Sequence, residues 1–191
     1  MSLHADAVKV LAGWTPPDDE QQTLRDLYLV HLGAHSDGLL RDCRPGHITV
    51  STAVLDAARQ HVLLTLHRKL GRWLQLGGHC EPGDGTLAAA ALREATEESG
   101  IADVALLAGP VNLDRHAVPC GPGARQADPL RAPLGWTWHL DVQFAATSPP
   151  GARPVRGDES DDLRWWPVDS LSSSADQAVR RLVARACALS R

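Results

Sequence analysis

From Leu87 to Ser99 the chain reads Leu-Ala-Ala-Ala-Ala-Leu-Arg-Glu-Ala-Thr-Glu-Glu-Ser, a run of strong helix formers without proline or glycine. Thr86 supplies an N-cap hydroxyl, and Gly100 supplies a C-terminal stop. Spacing gives this helix two different sides. Glu94, Glu97 and Glu98 stand at i, i+3 and i+4, so all three carboxylates project from one face. Ala88, Leu92 and Ala95 lie roughly 100–160° around the helix from Glu94, at about 100° per residue. They form a small apolar stripe that packs closely on a sheet, which calls for a layered domain.

The acidic side is unfavourable by itself. Like charges at this spacing repel by about 0.2–0.5 kcal/mol per pair. Acids near a helix C-terminus also oppose its dipole. A divalent cation offsets both effects, and hard oxygen ligands on a rigid element suit Mg²⁺ or Mn²⁺. Arg93 precedes Glu97 by four residues and can pair with it, holding a carboxylate in position. An isolated acidic run is more commonly a solvated face, so its context decides. Here Gly77-Gly78 and the turn Glu81-Pro82-Gly83-Asp84 precede the helix, and Gly100-Ile101 follow it.

That combination resembles the Nudix box: a glycine, five residues, a glutamate, seven residues, then Arg-Glu, an aliphatic, any residue, Glu-Glu, any residue, Gly and an aliphatic. Gly78, Arg93, Glu94, Glu97, Glu98, Gly100 and Ile101 fit it, with Ala95 as a small aliphatic. Asp84 stands where the pattern has glutamate, and eight residues rather than seven separate it from Arg93. The extra residue leaves the spacing of the three glutamates intact, and Asp84 is not carried over as an equivalent residue. The likeness extends over roughly residues 47–170, through Trp73-Leu74-Gln75-Leu76-Gly77-Gly78-His79 before the box and Arg164 to Leu171 after it.

The resemblance implies a Nudix fold, a mixed sheet sandwiched between helices, and hydrolysis of a nucleoside diphosphate linked to another moiety. It implies Mg²⁺ or Mn²⁺ held by Glu94, Glu97 and Glu98, with Glu98 central, bridging phosphate oxygens and helping to generate hydroxide. Gly77, Gly78, Arg93 and Gly100 would support that site. The general base varies across the family; Glu94 is one candidate, and Glu159, in the acidic stretch Asp158 to Asp162, is the other. His79, after the double glycine, and Arg68, His116 and Asp141 are candidates for substrate binding, with His139 beside them. Lys69 and Arg72 can also counter phosphate charge.

The rest of the chain fits an α/β or α+β layered domain. Ile48–Leu55 and Val62–Leu66 are rich in β-branched and aliphatic residues and read as neighbouring strands joined by Asp56 to Gln60. Ile101–Leu113 reads as a strand or strand pair, 114–135 as a long Pro/Gly-rich loop, and Trp136–Ala146 and Leu163–Val168 as strands. Trp136 and Trp138 share a strand face and are more simply core than a base-stacking platform, while Trp165 and Trp166 point to opposite faces. Ser174–Leu189 repeats apolar residues at helical spacing. Residues 1–45 read as a helical extension, with a helix from Asp19 to Leu32 that packs on the domain or serves as a homodimer element; residues 46–191 form the hydrolase domain.

A net charge of −4 gives no basic surface for bulk nucleic acid. Neither a membrane-crossing apolar run nor a secretion signal is evident, so the expected location is the cytoplasm. The partner expected is a small diphosphate substrate. Cys43, Cys80, Cys120 and Cys187 are expected as free thiols. His79-Cys80 and the His116-to-Cys120 pair offer zinc ligand types but match no compact zinc pattern, so no zinc is assigned. Two rivals remain: an isopentenyl-diphosphate isomerase on the same fold, for which Cys80 lacks suitable neighbours, and a non-catalytic nucleotide sensor, against which the intact glutamate set argues.

Overall fold

The protein is described from a computed structural model covering residues 1–43, 45–107, 109–119, 136–157 and 160–189. Helices α1 (Leu3–Gly13) and α2 (Asp19–Ala34) come first, followed by strands β1 (Gly46–Leu55), β2 (His61–His67), β3 (Arg72–Leu74) and β4 (Leu76–His79). Helix α3 (Leu87–Ser99) precedes β5 (Ala105–Leu106), β6 (Asn112–Pro119), β7 (Trp136–Thr147), β8 (Ser160–Pro167) and the last helix, α4 (Gln177–Ala188). The strands form one eight-stranded mixed sheet with a β3-β2-β1-β7-β5 path, on which β4 pairs with β1, β6 with β7 and β8 with β2.

Strand β1 is the spine. It runs parallel to β7 along its whole length, antiparallel to β4 at Thr49–Thr52, and antiparallel to β2 at Val54–Leu55. Strands β4 and β2 thus follow one another along the same edge of β1. Ile48 and Val50 point to one face with Leu140, Val142 and Phe144, and there meet Leu87, Ala90 and Ala91 of α3 and Leu11, Tyr28 and Leu32 of the first two helices. Helix α4 covers a second cluster, with Val179, Leu182 and Val183 against Ala53, Leu55, Val62 and Leu64. The mixed sheet between helices is therefore the architecture that the sequence implies. Trp165 joins a third cluster around Ala95 and Ile101 while Trp166 packs on the second, so the two do face opposite ways.

The first two helices are bonded into this core. Gln21 donates from its side-chain amide to the carbonyl of Leu113 and accepts from the Leu113 N–H, both buried. The Tyr28 hydroxyl donates to the carbonyl of Asp114. The Asp6 carboxylate accepts from the N–H of Leu87, the first residue of α3.

Helix α3 has the bounds expected, with Thr86 accepting from Ala89 N–H and Gly100 closing it. Its packed stripe differs. Leu87, Ala90, Ala91, Ala95 and Ser99 are buried, while Ala88 is exposed. Four consecutive alanines give no periodic contrast, so the sheet's position chooses the face. That face flanks Glu94 and half-buries it. The loop expected from 114 also begins later, because β6 runs to Pro119. Residues 120–135, with Cys120, lie outside the described residues.

Candidate active site

Three adjacent strands carry polar residues at every second position, which places them on one face of the sheet. They are His47, Thr49 and Ser51 on β1, His139, Asp141 and Gln143 on β7, and Asn112, Asp114 and His116 on β6. Register sets them side by side: His47 against His139, Thr49 against Asp141, Ser51 against Gln143, and then His116, Asp114 and Asn112 beyond. Strand β4 adds His79 opposite Thr49 and Gly77 opposite Ser51.

Asp141 is the centre of this floor. Its buried carboxylate accepts from Thr49 Oγ1 at 3.0 Å, Ser51 Oγ at 2.6 Å and Gln143 Nε2 at 2.8 Å. Burial nevertheless lifts it above the ordinary aspartate value. His116 bonds Asp114 through Nδ1 at 2.8 Å. Burial works against its charged form, but that bond and the Asp141 and Asp114 charges outweigh burial and raise it. His139 is driven the other way, to about 2, by burial and by the neighbouring imidazoles.

Helix α3 contributes Glu94 and Glu98, and its Arg93 ties the acidic residues around them together. This guanidinium reaches Asp84 with two nitrogens at 3.1 Å, Glu94 and Glu97 at 3.0 Å each, and the His79 carbonyl at 3.0 Å. Burial opposes ionisation of Asp84, yet the Arg93 bonds hold it below the usual aspartate range. With its side chain 6% exposed, Asp84 ties the loop to the helix, which sequence spacing alone did not reveal. Burial raises Glu94, against the lowering pull of Arg93. Glu98 accepts from the Gly77 N–H at 2.9 Å. Gly78 approaches so closely that an added Cβ would lie 2.7 Å from the Glu94 carboxyl group.

Removing this clamp has a measurable cost. Arg93→Met strands Asp84 and half-buried Glu94, so the variant is expected to lose about 3 kcal/mol of stability, the low end for breaking a buried ion pair. Thermal unfolding beside Asp84→Asn and the double variant checks it: the two effects should be clearly less than additive.

A cavity of about 730 Å³ collects the expected residues Glu94, Glu98, His79, Arg68, His116 and Asp141 along its lining. Glu97 is not in that lining; it is 61% exposed and engaged by Arg93. Glu159 lies outside the described residues. Arg72 turns away toward Asp176, 3.9 Å off. Lys69 and Arg41, the latter unmarked by any sequence signal, line the cavity with no carboxylate partner among the described residues. Arg68 is held by Asp161 at 3.0 Å. Trp138 packs on the opposite face under Arg115, 3.8 Å from its ring centroid, as core and not as part of this cavity. Cys80 is buried, and burial pushes its thiol up to about 12, which leaves no thiolate for covalent or acid–base chemistry near neutral pH.

Comparison with known proteins agrees with the fold. The NUDIX domain family matches residues 45–186. A NUDIX-family hydrolase from Clostridium perfringens superposes with a TM-score of 0.55 at 24% identity, covering 74% of this chain and 95% of that one. The E. coli dihydroneopterin triphosphate pyrophosphohydrolase gives 0.52 at 16% identity, covering 74% and 94%. A C. elegans Ap4A hydrolase gives 0.50 at 14%, covering 72% and 93%. No curated protein matches the chain by sequence.

Proposed function

Because the chain belongs to the Nudix hydrolase family, we propose that it cleaves the diphosphate linkage of a nucleoside diphosphate derivative or related compound with the help of Mg²⁺ or Mn²⁺. The observation that carries this reading is one cavity lined by two kinds of charge, the carboxylates of Glu94 and Glu98 and the cations of Arg41, Arg68 and Lys69. The glutamates fit the ion. They offer hard oxygen donors on a rigid helix, and Glu94 faces Gly78 with no side chain between. When bound, a divalent cation supplies Lewis acidity and neutralises charge on the diphosphate.

The chain's own groups do the rest. Arg41 and Lys69 attract the phosphates, and Arg68 can join them at the cost of its Asp161 pair. His116, raised by Asp114, donates to an anionic oxygen. Arg93 keeps Glu94 in place while Gly77 N–H orients Glu98. Glu94, a half-buried carboxylate in the cavity lining, is our first candidate for the general base; Glu159 is the second. Glu97 joins the ligand set by leaving Arg93. Among the described residues no helix is long and apolar enough to cross a membrane, and the free thiols Cys43, Cys80 and Cys187 support a cytoplasmic setting.

The test is nucleotide and phosphate release from a panel of nucleoside triphosphates, ADP-ribose-like compounds and non-nucleotide diphosphates, with Mg²⁺, Mn²⁺ or a chelator. Turnover of at least one compound that chelation abolishes is expected. Tight nucleotide binding with no turnover across the panel would overturn the hydrolytic reading in favour of a sensor.

A further inference from the structure

We propose that His47, His79 and His139 form a second metal site, a three-imidazole pocket for a transition-metal cation of the zinc type, with a donor set distinct from the glutamates of α3. The three residues come from β1, β4 and β7, and the sheet register brings them to one end of the polar floor. One nitrogen from each lies within 4.8 Å of the others. Their rings sit 4.9–5.1 Å apart, centre to centre. Zinc held about 2.0–2.1 Å from each nitrogen needs them about 3.3 Å apart in a tetrahedron, a contraction within reach of small side-chain rotations.

His47 makes the independent case. It is 1% exposed, and neither Nδ1 nor Nε2 has a hydrogen-bond partner among the described residues. The Cys43 carbonyl faces the ring and favours its protonated form, without reaching hydrogen-bond geometry with either nitrogen. A buried imidazole that neither donates nor accepts forfeits its hydration for nothing, unless a ligand takes its lone pair. Burial disfavours the charged form of His47 and His139, and a neutral imidazole is the form that binds a metal.

The donor set chooses the ion. Imidazole suits zinc, copper and nickel, whereas Mg²⁺ prefers the oxygens of α3, so the two donor sets favour different ions. Three protein ligands leave a fourth position, and it opens on a cavity of about 510 Å³ edged by Arg41, Lys69 and Val118. An oxygen of water or of an anionic substrate group would take that place. His116, 5.4 Å from His139 between ring centres, stays with Asp114. Arg41 acts against a cation, but it is exposed and solvent screens it.

The experiment is titration of metal-stripped protein with Co²⁺, read by visible absorption, and then with Zn²⁺, read by calorimetry. It uses wild type, His79→Gln, His139→Gln, His47→Gln and Glu98→Gln, each checked for fold by circular dichroism. One equivalent of Co²⁺ with the absorption of a four-coordinate nitrogen site, displaced by Zn²⁺, is expected in wild type and in Glu98→Gln. Affinity should fall by more than about 100-fold in His79→Gln and His139→Gln. His47→Gln can fail to fold because the residue is wholly buried; partly exposed His79 then carries the test. Absence of the four-coordinate bands would overturn the proposal, as would unchanged affinity in His79→Gln. Binding lost in Glu98→Gln but kept in His79→Gln would place the ion at the glutamates, sinking this site while leaving the hydrolase reading intact.

Discussion

Glu98→Gln is expected to lower kcat/KM by about a thousandfold or more, because the substitution removes the carboxylate's charge while keeping its shape. The glutamine keeps a side-chain oxygen that can accept from Gly77 N–H, so the contact joining α3 to β4 survives. Its shape is the same, and the Arg93 bonds to Asp84, Glu94 and Glu97 are left in place. What disappears is an anionic oxygen at the cavity lining. Steady-state kinetics over a Mg²⁺ series, beside thermal unfolding, separates the two effects. A loss below tenfold would mean that Glu98 is not a principal ligand; a large drop in melting temperature would mean that its role is structural.

Gly77→Ala should give the largest loss of stability of any single methyl group added near the site. Gly77 has φ +156°, and an added Cβ would lie 2.4 Å from the Val50 carbonyl oxygen and 2.5 Å from Ser51 Cβ. These obstacles belong to β1, the spine of the sheet, and cannot swing aside like a flexible side-chain tip. Strain of the backbone and overpacking each contribute about 1–3 kcal/mol, so about 4 kcal/mol is expected in sum. For a chain of this size that is a fall in melting temperature of about 8–16 °C. If β4 gives way instead, the Gly77 N–H to Glu98 bond goes with it, and activity falls in parallel. Gly83→Ala is the control, since nothing lies within 4 Å of an added Cβ there. Equal melting temperatures for the two variants would show that β4 can shift freely against β1.

The parts of the molecule legible in the sequence are those fixed by local chemistry. Thr86 and Gly100 bracket α3 because caps act within a turn or two, and Glu94, Glu97 and Glu98 share a face because helical geometry dictates it. Distance in the chain hid the rest. Asp84 looked displaced by one residue from the motif, yet a loop absorbs one residue easily and the long Arg93 side chain still reaches it. Glu97 has the right helical angle, but Arg93 draws it to the rim. His47 gave no signal as a lone histidine opening a strand. Its signal was the shared alternation His-x-Thr-x-Ser, His-x-Asp-x-Gln and Asn-x-Asp-x-His, and that gains meaning only once β1, β7 and β6 are known to be neighbours in register.

The bonds from the first two helices to the rest of the molecule also set a timetable for its making. Asp6 must wait for Leu87, Gln21 for Leu113 and Tyr28 for Asp114, separations of 81, 92 and 86 residues. At a synthesis rate of about 5–20 residues per second, the helical pair leaves the ribosome about 4–18 seconds before the strand and helix it will join. Leu11, Tyr28 and Leu32, buried in the finished protein, have no sheet to cover them in that interval. The nascent chain thus carries an uncovered apolar surface for seconds, a period in which chaperones or neighbouring chains compete with its own later segments.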